Sequence, residues 1–298
     1  AEDHGRAYAL SSRAVALSVA ARGEAHPLVA DAKTDLGRAA RSLGYLDEAS
    51  RLGEQALQIR TRALGGAHPD LAYALDLLTE VRRLQGEMDQ AKAMAERGRV
   101  LRATAYGDTH PLVARSLYAR ALAEEKLGQF DAALRSMARV SEIDEQLHPL
   151  NIDRLPTLRE QARMAFSFGE GPKRGRVHLE RAWEIVEQSE IPRDHPMVRD
   201  LNHGYGETLL ELGLAAEGLP YLEAFVADPR PHAVLPHLKF VLVRALVATN
   251  TDPARARRLF EEAYAAWEDS EVPFHVSEIA QMNAWRHNLP SVPAAGYP

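Results

Sequence analysis

The dipeptide His-Pro recurs at His26, His68, His110, His148 and His195, at intervals of 42, 42, 38 and 47 residues. Self-similarity at a fixed period of this size is the mark of a chain that stacks one supersecondary unit on the next, and it constrains the fold more than any other feature. Between the first three units further positions keep the step of 42: Gly44, Gly86 and Gly128; Ala49, Ala91 and Ala133; the bulky Leu46, Met88 and Phe130.

Each unit reads as two helices. Val29, Leu36, Ala40 and Leu43 fall at helical spacing, and Gly44 supplies the left-handed turn that ends a first helix. Leu46, Ala49, Leu52, Gly53, Ala56 and Ile59 carry the period through a second helix, which Gly65 and Gly66 end. The small residues Gly37, Ala49 and Ala56 allow the two helices to approach closely. Proline is suited to the first helical turn, where its missing N–H costs nothing, so each His-Pro marks the start of a first helix.

Later units are less regular. The fourth is expected to begin at His148-Pro149 and turn at Gly169, with a Gly-Glu-Gly-Pro insertion before a helix from about Arg174 to Glu190. The fifth begins at His195-Pro196, turns at Leu212-Gly213 and has Gly218 where alanine usually stands. A sixth starts near Pro231, turns at Asn250 and carries Ala256, Phe260 and Ala263 on its second helix. The resulting division is 1–25, the second helix of a partial repeat; 26–147, three regular repeats; 148–230, two degenerate repeats; 231–270, a sixth degenerate repeat; 271–290, a capping helix; and 291–298, a disordered tail. Because the chain starts at Ala1 on half a repeat, the expectation is an array cut from a longer protein.

Composition removes several function classes. The formal charge of −6, from 42 acidic and 36 basic residues spread along the chain, leaves no extended basic surface for a nucleic-acid backbone. Without cysteine there are no disulfides, thiolate metal sites or cysteine nucleophiles. The longest apolar run, Phe240 to Ala248, is interrupted by Arg244 and far shorter than the ~20 residues that span a bilayer, so no membrane insertion is expected. A cytoplasmic location is the expectation, with the periplasm as the alternative. Only Lys33, Lys92, Lys126, Lys173 and Lys239 are lysines among 36 basic residues, an arginine bias typical of GC-rich bacterial genomes.

Across residues 26–147 the pattern His26-Pro27, Leu36-Gly37, Gly44, Leu46-Asp47-Glu48-Ala49 and Ala56, repeated through His68-Pro69, Leu78, Gly86 and Ala91 and through His110-Pro111, Gly128, Phe130 and Ala133, resembles the tetratricopeptide repeat family. The likeness is to its long form, found in kinesin light chains and in bacterial arrays, including those that follow serine/threonine kinase domains. This resemblance implies an all-α, right-handed superhelical solenoid of antiparallel helix pairs, about six repeats here plus a partial N-terminal helix and a C-terminal capping helix. It also implies a protein or peptide partner, held on a concave surface lined by the first helices.

Counting back from each turn places candidate groove residues on that surface: Asp31, Thr34, Arg38 and Arg41; Tyr73, Asp76, Glu80 and Arg83; Arg115, Tyr118, Leu122 and Glu125; Arg159, Arg163 and Phe166; Asp200, His203 and Glu207; His237, Phe240 and Arg244. Arginines for carboxylates, aromatics as anchors and mixed charge for register are what a peptide groove needs. Kinesin-type repeats carry an Asn-Asn pair in the first helix, and here those places hold Thr34-Asp35, Asp76-Leu77 and Tyr118-Ala119. The backbone frame is shared and the reading residues differ.

Signals for chemistry are weak, and neither a cofactor nor a metal is expected. The His-Pro histidines stand a repeat apart, at least about 8–10 Å by helix packing, whereas zinc holds its ligands about 2 Å from the ion. His232 and His237, five apart, do not share a helix face, and the chain has no His-Glu-x-x-His or Gly-x-Ser-x-Gly string. Gly169 to Gly175 reads as a turn with an insertion, lacking the strand and the Ser/Thr of a phosphate loop. The adjacent carboxylates Glu124-Glu125 and Glu261-Glu262 read as solvated surface, Glu125 as groove lining.

Three roles follow from these expectations. The first is a binding module within a larger bacterial signalling protein. The second is a pocket in repeats four to six lined by Arg163, His203 and Glu207. The third is self-association through the helix from Arg6 to Arg22. Since each pair is stabilised by its neighbours, fraying should begin at that helix and beyond Asp252; hydrogen exchange showing the C-terminal end most protected would contradict this.

Overall fold

The computed structural model describes residues 2–147, 149–167, 172–193, 195–227, 235–268 and 273–290. All regular elements among them are helical. They fall into two compact units, Ala1–Pro149 and Leu150–Pro298. The turn at Gly169, the start near Pro231 and the tail 291–298 lie outside the described residues.

In the first unit α1 (Glu2–Arg22) precedes three helix pairs: α2 (Pro27–Ser42) with α3 (Leu46–Leu64), α4 (Leu71–Leu84) with α5 (Met88–Tyr106), and α6 (Pro111–Lys126) with α7 (Phe130–Leu147). The second unit holds α8 (Leu155–Ser167) with α9 (Pro172–Gln188), α10 (Pro196–Glu211) with α11 (Ala215–Val226), α12 (Leu235–Ala248) with α13 (Pro253–Ala265), and then α14 (Pro273–Trp285). No described helix is long and apolar enough to cross a membrane.

Histidine does more in His-Pro than mark a junction. His26, His110 and His195 are the N-caps of α2, α6 and α10, each accepting through Nδ1 the N–H two residues on, at 3.2, 3.2 and 3.3 Å. An imidazole nitrogen thus satisfies one of the orphan donors of the first turn, a role usually filled by Ser, Asp or Asn. At the other end of the first helices Gly44, Gly86 and Gly128 take φ of 81°, 82° and 71°, and Asn250 takes the same left-handed turn at 52°.

The fourth repeat enters differently from the expectation. Its helix starts at Leu155, six residues past Pro149, because Asn151 accepts the Asp153 N–H at 2.9 Å and caps a short 3-10 turn, Ile152–Arg154. Pro156 then falls in the first turn of α8, where no N–H is required. His148 lies outside the described residues.

Four of the six pairs are closed at one crossing point, set seven residues before and five after the turn glycine. The residues there are Gly37 and Ala49, Thr79 and Ala91, Ala121 and Ala133, Gly206 and Gly218, and all are buried. A Cβ on Gly218 would stand 2.8 Å from the Gly206 carbonyl oxygen and 3.1 Å from Leu209 Cβ. Glycine at 218 is therefore required by the close approach of the backbone at 206. Stacking then builds continuous cores. Ala40, Ala49, Leu77 and Val81 join the first pair to the second. In the second unit Leu158, Leu179, Trp183, Leu201 and Tyr205 join α8, α9 and α10, and Leu222, Val241, Phe260 and Met282 join α11 to α14.

Gly218→Ala should destabilise the second unit by about 1–2 kcal/mol, overpacking against a backbone oxygen outweighing the gain in helix propensity. Gly5→Ala, where the added methyl meets nothing within 4 Å, should instead stabilise by up to ~1 kcal/mol. Urea unfolding of the two variants, followed by helical circular dichroism, checks the opposite signs.

Candidate functional site

In the first unit the first helices bring many of the expected groove residues to one face. Arg38 and Arg41 of α2, Asp76 and Glu80 of α4, and Arg115 and Tyr118 of α6 line a small cleft of about 140 Å³. Charges on this face are largely internally matched. Arg38 pairs with Asp35 and Arg83 with Glu80, each at 2.9 Å, and Arg115 reaches Asp76 at 3.3 Å.

Beneath the face lie two arginines that the sequence pattern did not single out. Arg60 of α3 and Arg102 of α5, 42 residues apart, are only 3% and 1% exposed. Arg102 donates to both carboxylate oxygens of Asp76, at 2.9 and 2.7 Å, and to Ser116 Oγ at 2.6 Å. Arg60 donates to Thr34 Oγ1 at 3.1 Å and to Asp31 at 2.5 Å. The Tyr73 ring stands between them, 6.0 Å from one guanidinium and 5.8 Å from the other. Burying a guanidinium is tolerable only when its donors are met, and here second-helix arginines are met by groove-face acceptors. Their shared period was the signal that could have revealed them.

Three of the expected groove residues are not on the surface. Thr34 is 1% exposed, its hydroxyl donating to the Ala30 carbonyl oxygen while accepting from Arg60. Glu125 is 8% exposed, and Phe240 is 4% exposed, packed edge-on against Phe260 and Trp285. The reading of Glu124 as solvated surface also fails. Glu124 is buried and accepts from Arg120 Nε at 2.7 Å and Ser136 Oγ at 2.8 Å. Helical spacing locates a face to within about one residue, and these positions sit at its inner edge. Leu122 is half-buried, and the side chain of Phe166 lies outside the described residues.

The second unit holds a larger cleft of about 530 Å³ whose lining includes Arg159 and Arg163 of α8 and His203, Glu207 and Glu211 of α10. Arg159 faces Asp200 at 3.4 Å, Arg163 pairs with Glu160, and Arg244 with Glu211 at 2.7 Å. The three residues expected to share a pocket, Arg163, His203 and Glu207, do share this one.

At its edge His203 and Glu207, one turn apart on α10, meet His237 of α12. His203 Nε2 is 3.2 Å from Glu207 Oε2, and His237 Nε2 is 3.6 Å from Glu207 Oε1. Behind His237, its Nδ1 is 2.7 Å from Glu278 Oε2 on α14. Burial would raise the Glu207 pKa, but contacts with His203 and His237 outweigh it and hold the carboxyl well below its usual range. Burial would likewise lower His237, and its two carboxylate neighbours, Glu207 and Glu278, push it up instead. The pairing of His203 with Glu207 at i, i+4 is visible in the sequence; their meeting with His237 depends on repeat stacking, and nothing in the sequence pattern pointed to Glu278. His232 lies outside the described residues.

Comparison with known proteins places this frame. Residues 29–70 match a family model described as tetratricopeptide repeat, and residues 80–146 match a second model of the same description. No curated protein matches the chain. A putative kinesin light chain with nearly identical TPR-like repeats from Podosopora anserina is 23% identical, covering 68% of this chain and 95% of that one, with a TM-score of 0.59. BtubC (BKLC) from P. vanneervenii is 18% identical over 77% of this chain and 96% of its own, TM-score 0.62. The pilF protein of Pseudomonas aeruginosa is 14% identical over 86% and 96%, TM-score 0.61. At these identities the likeness is one of fold.

Arg102→Ala should cost about 2–4 kcal/mol, because a cavity opens at a buried position and the part-buried Asp76 loses its main partner, keeping only Arg115. Arg38→Ala, on an exposed i, i+3 pair, should cost no more than ~1 kcal/mol. Denaturant titration of both variants measures the difference.

Proposed function

We propose that this chain, which carries tetratricopeptide repeats of the kinesin-light-chain-like kind, uses the cleft formed by α2, α4 and α6 to hold an extended, acidic peptide segment of another protein. Such repeats generally serve as protein-interaction scaffolds. The observation that carries the finer reading is the convergence of Arg38, Arg41, Arg115 and Tyr118 from three successive first helices on one cleft. Arg41 has no ion-pair partner among the described residues, and the Arg115 side chain is 54% exposed while making its contact with Asp76. Both offer guanidinium donors to a carboxylate, and Tyr118 offers an aromatic surface beside them. Asp76 and Glu80 on the same cleft give it mixed charge, which favours one register of a bound chain over another.

A place in a larger bacterial signalling protein accords with the arginine-rich composition and the repeat type. The role is one of holding rather than of chemistry in this chain.

Peptides selected from a random display library against the intact chain provide the test. Arg41→Glu and Arg115→Glu should each weaken the selected peptides by about tenfold or more, and Tyr118→Ala by a similar factor, as loss of a hot-spot contact does. Fluorescence anisotropy reads the affinities, and binding should weaken as salt is raised. Selected peptides whose affinity is unchanged in all three variants would place the binding surface elsewhere.

A further inference from the structure

The cluster at the edge of the second-unit cleft has a composition and spacing that an ion-pair network does not require. Two imidazoles and one carboxylate, His203, His237 and Glu207, offer ligand atoms that all lie within 4.8 Å of one another. Ligands of a tetrahedral zinc ion, each ~2.0–2.1 Å from the metal, stand about 3.3–3.4 Å apart. His203 Nε2 is 3.2 Å from Glu207 Oε2 and His237 Nε2 is 3.6 Å from Glu207 Oε1, each near that edge length, the two histidines meeting different oxygens of the one carboxylate.

Three details go beyond spacing. His203 Nε2 is enclosed by protein yet has no hydrogen-bond partner, its neighbour Glu207 lying at the right distance but not in the right direction. A nitrogen turned in this way suits a shared third body better than a direct hydrogen bond. His237 is held by Glu278, a buried carboxylate 2.7 Å from Nδ1. This is how carboxylates orient metal-binding histidines: the Nδ1–H is donated outward and Nε2 is aimed at the ion. Finally, neither Glu207 nor Glu278 pairs with arginine or lysine among the described residues, so only histidine faces these carboxylates.

We propose that His203, His237 and Glu207 bind one divalent transition-metal ion of the zinc class, with Glu278 positioning His237. Two imidazole nitrogens and one carboxylate oxygen suit such an ion and not calcium or magnesium, which take oxygen ligands. Three protein ligands leave a coordination position, and His203 and Glu207 both line the 530 Å³ cleft. Into that cleft the open position would receive water or an anionic group of a bound molecule. The ion would also tie α10 to α12, joining the fifth and sixth helix pairs, while α14 is attached through the contact of Glu278 with His237.

Calorimetric titration of the intact, tag-free, chelator-treated chain with zinc chloride is the test. One Zn²⁺ per chain should bind, and thermal unfolding should shift upward with added zinc. His203→Ala and His237→Ala should each reduce affinity at least 100-fold, and the isosteric Glu207→Gln should reduce it strongly. Glu278→Gln, which touches no metal, should reduce it 10- to 100-fold. His287→Ala, at an exposed position, should bind as the parent does. Circular dichroism establishes that each variant is folded, and visible ligand-field bands of Co²⁺ in the parent, lost in His237→Ala, report coordination directly. Absence of saturable binding by the parent overturns the proposal, as does zinc binding that survives unchanged in both histidine variants.

Discussion

The spacing of four of the helix pairs depends on how little side chain stands where their two helices cross, Thr79 against Ala91 being the bulkiest of these crossings. Where Gly206 and Gly218 face each other, a methyl group would meet a carbonyl oxygen at 2.8 Å. Gly37 with Ala49 and Ala121 with Ala133 meet the same demand with slightly more bulk. Close approach lets each pair behave as one wedge, with apolar residues on both sides turned to its neighbours. The stack follows from that wedge, and so does the face on which the charged side chains are gathered.

The polar interior is the second constraint. In a stack of small apolar residues, Arg60 and Arg102 are the largest groups buried at the repeat joints of the first unit, and each is anchored by acceptors on a first helix. The same network that fixes Asp76 also fixes the angle at which it meets Arg115. The binding face is thus held from below by charge, and apolar packing sets only its spacing. In the second unit aromatic packing supplies this support instead, with Trp183 5.2 Å from Tyr221 and Tyr205 4.9 Å from the same ring. His203 stands ten residues before its turn at Gly213 and His237 thirteen before its turn at Asn250, so the two differ by about one helical turn on neighbouring first helices.

Much of the frame was legible because it depends on local rules repeated several times. His-Pro fixed the helix starts, the turn glycines fixed the ends, and Asn250 stood in for glycine where the pattern had decayed. What failed were statements about depth. Thr34, Glu125 and Phe240 have the correct helix and nearly the correct azimuth, yet burial depends on the tilt between pairs, which no single repeat encodes. The fourth repeat misled for another reason: Asn151, two residues past the proline, caps a 3-10 turn and delays the start of the helix. Glu278 was invisible because its role depends on a histidine 41 residues away.

Arg60 has a consequence for how such an array can change. Its guanidinium lies under Tyr73 of the next repeat, and one period further the position of Tyr73 is held by Arg115, while that of Arg102 is held by Asp144. Deletion of the second repeat by recombination would set Arg60 beneath Arg115, the arrangement that Arg102 and Arg115 already make with Asp76 between them. Asp31, which holds Arg60, would take the part that Asp76 plays, so the new joint would keep a carboxylate for its guanidinium. The 42-residue modules are exchangeable at this joint because each buried guanidinium brings its own carboxylate with it.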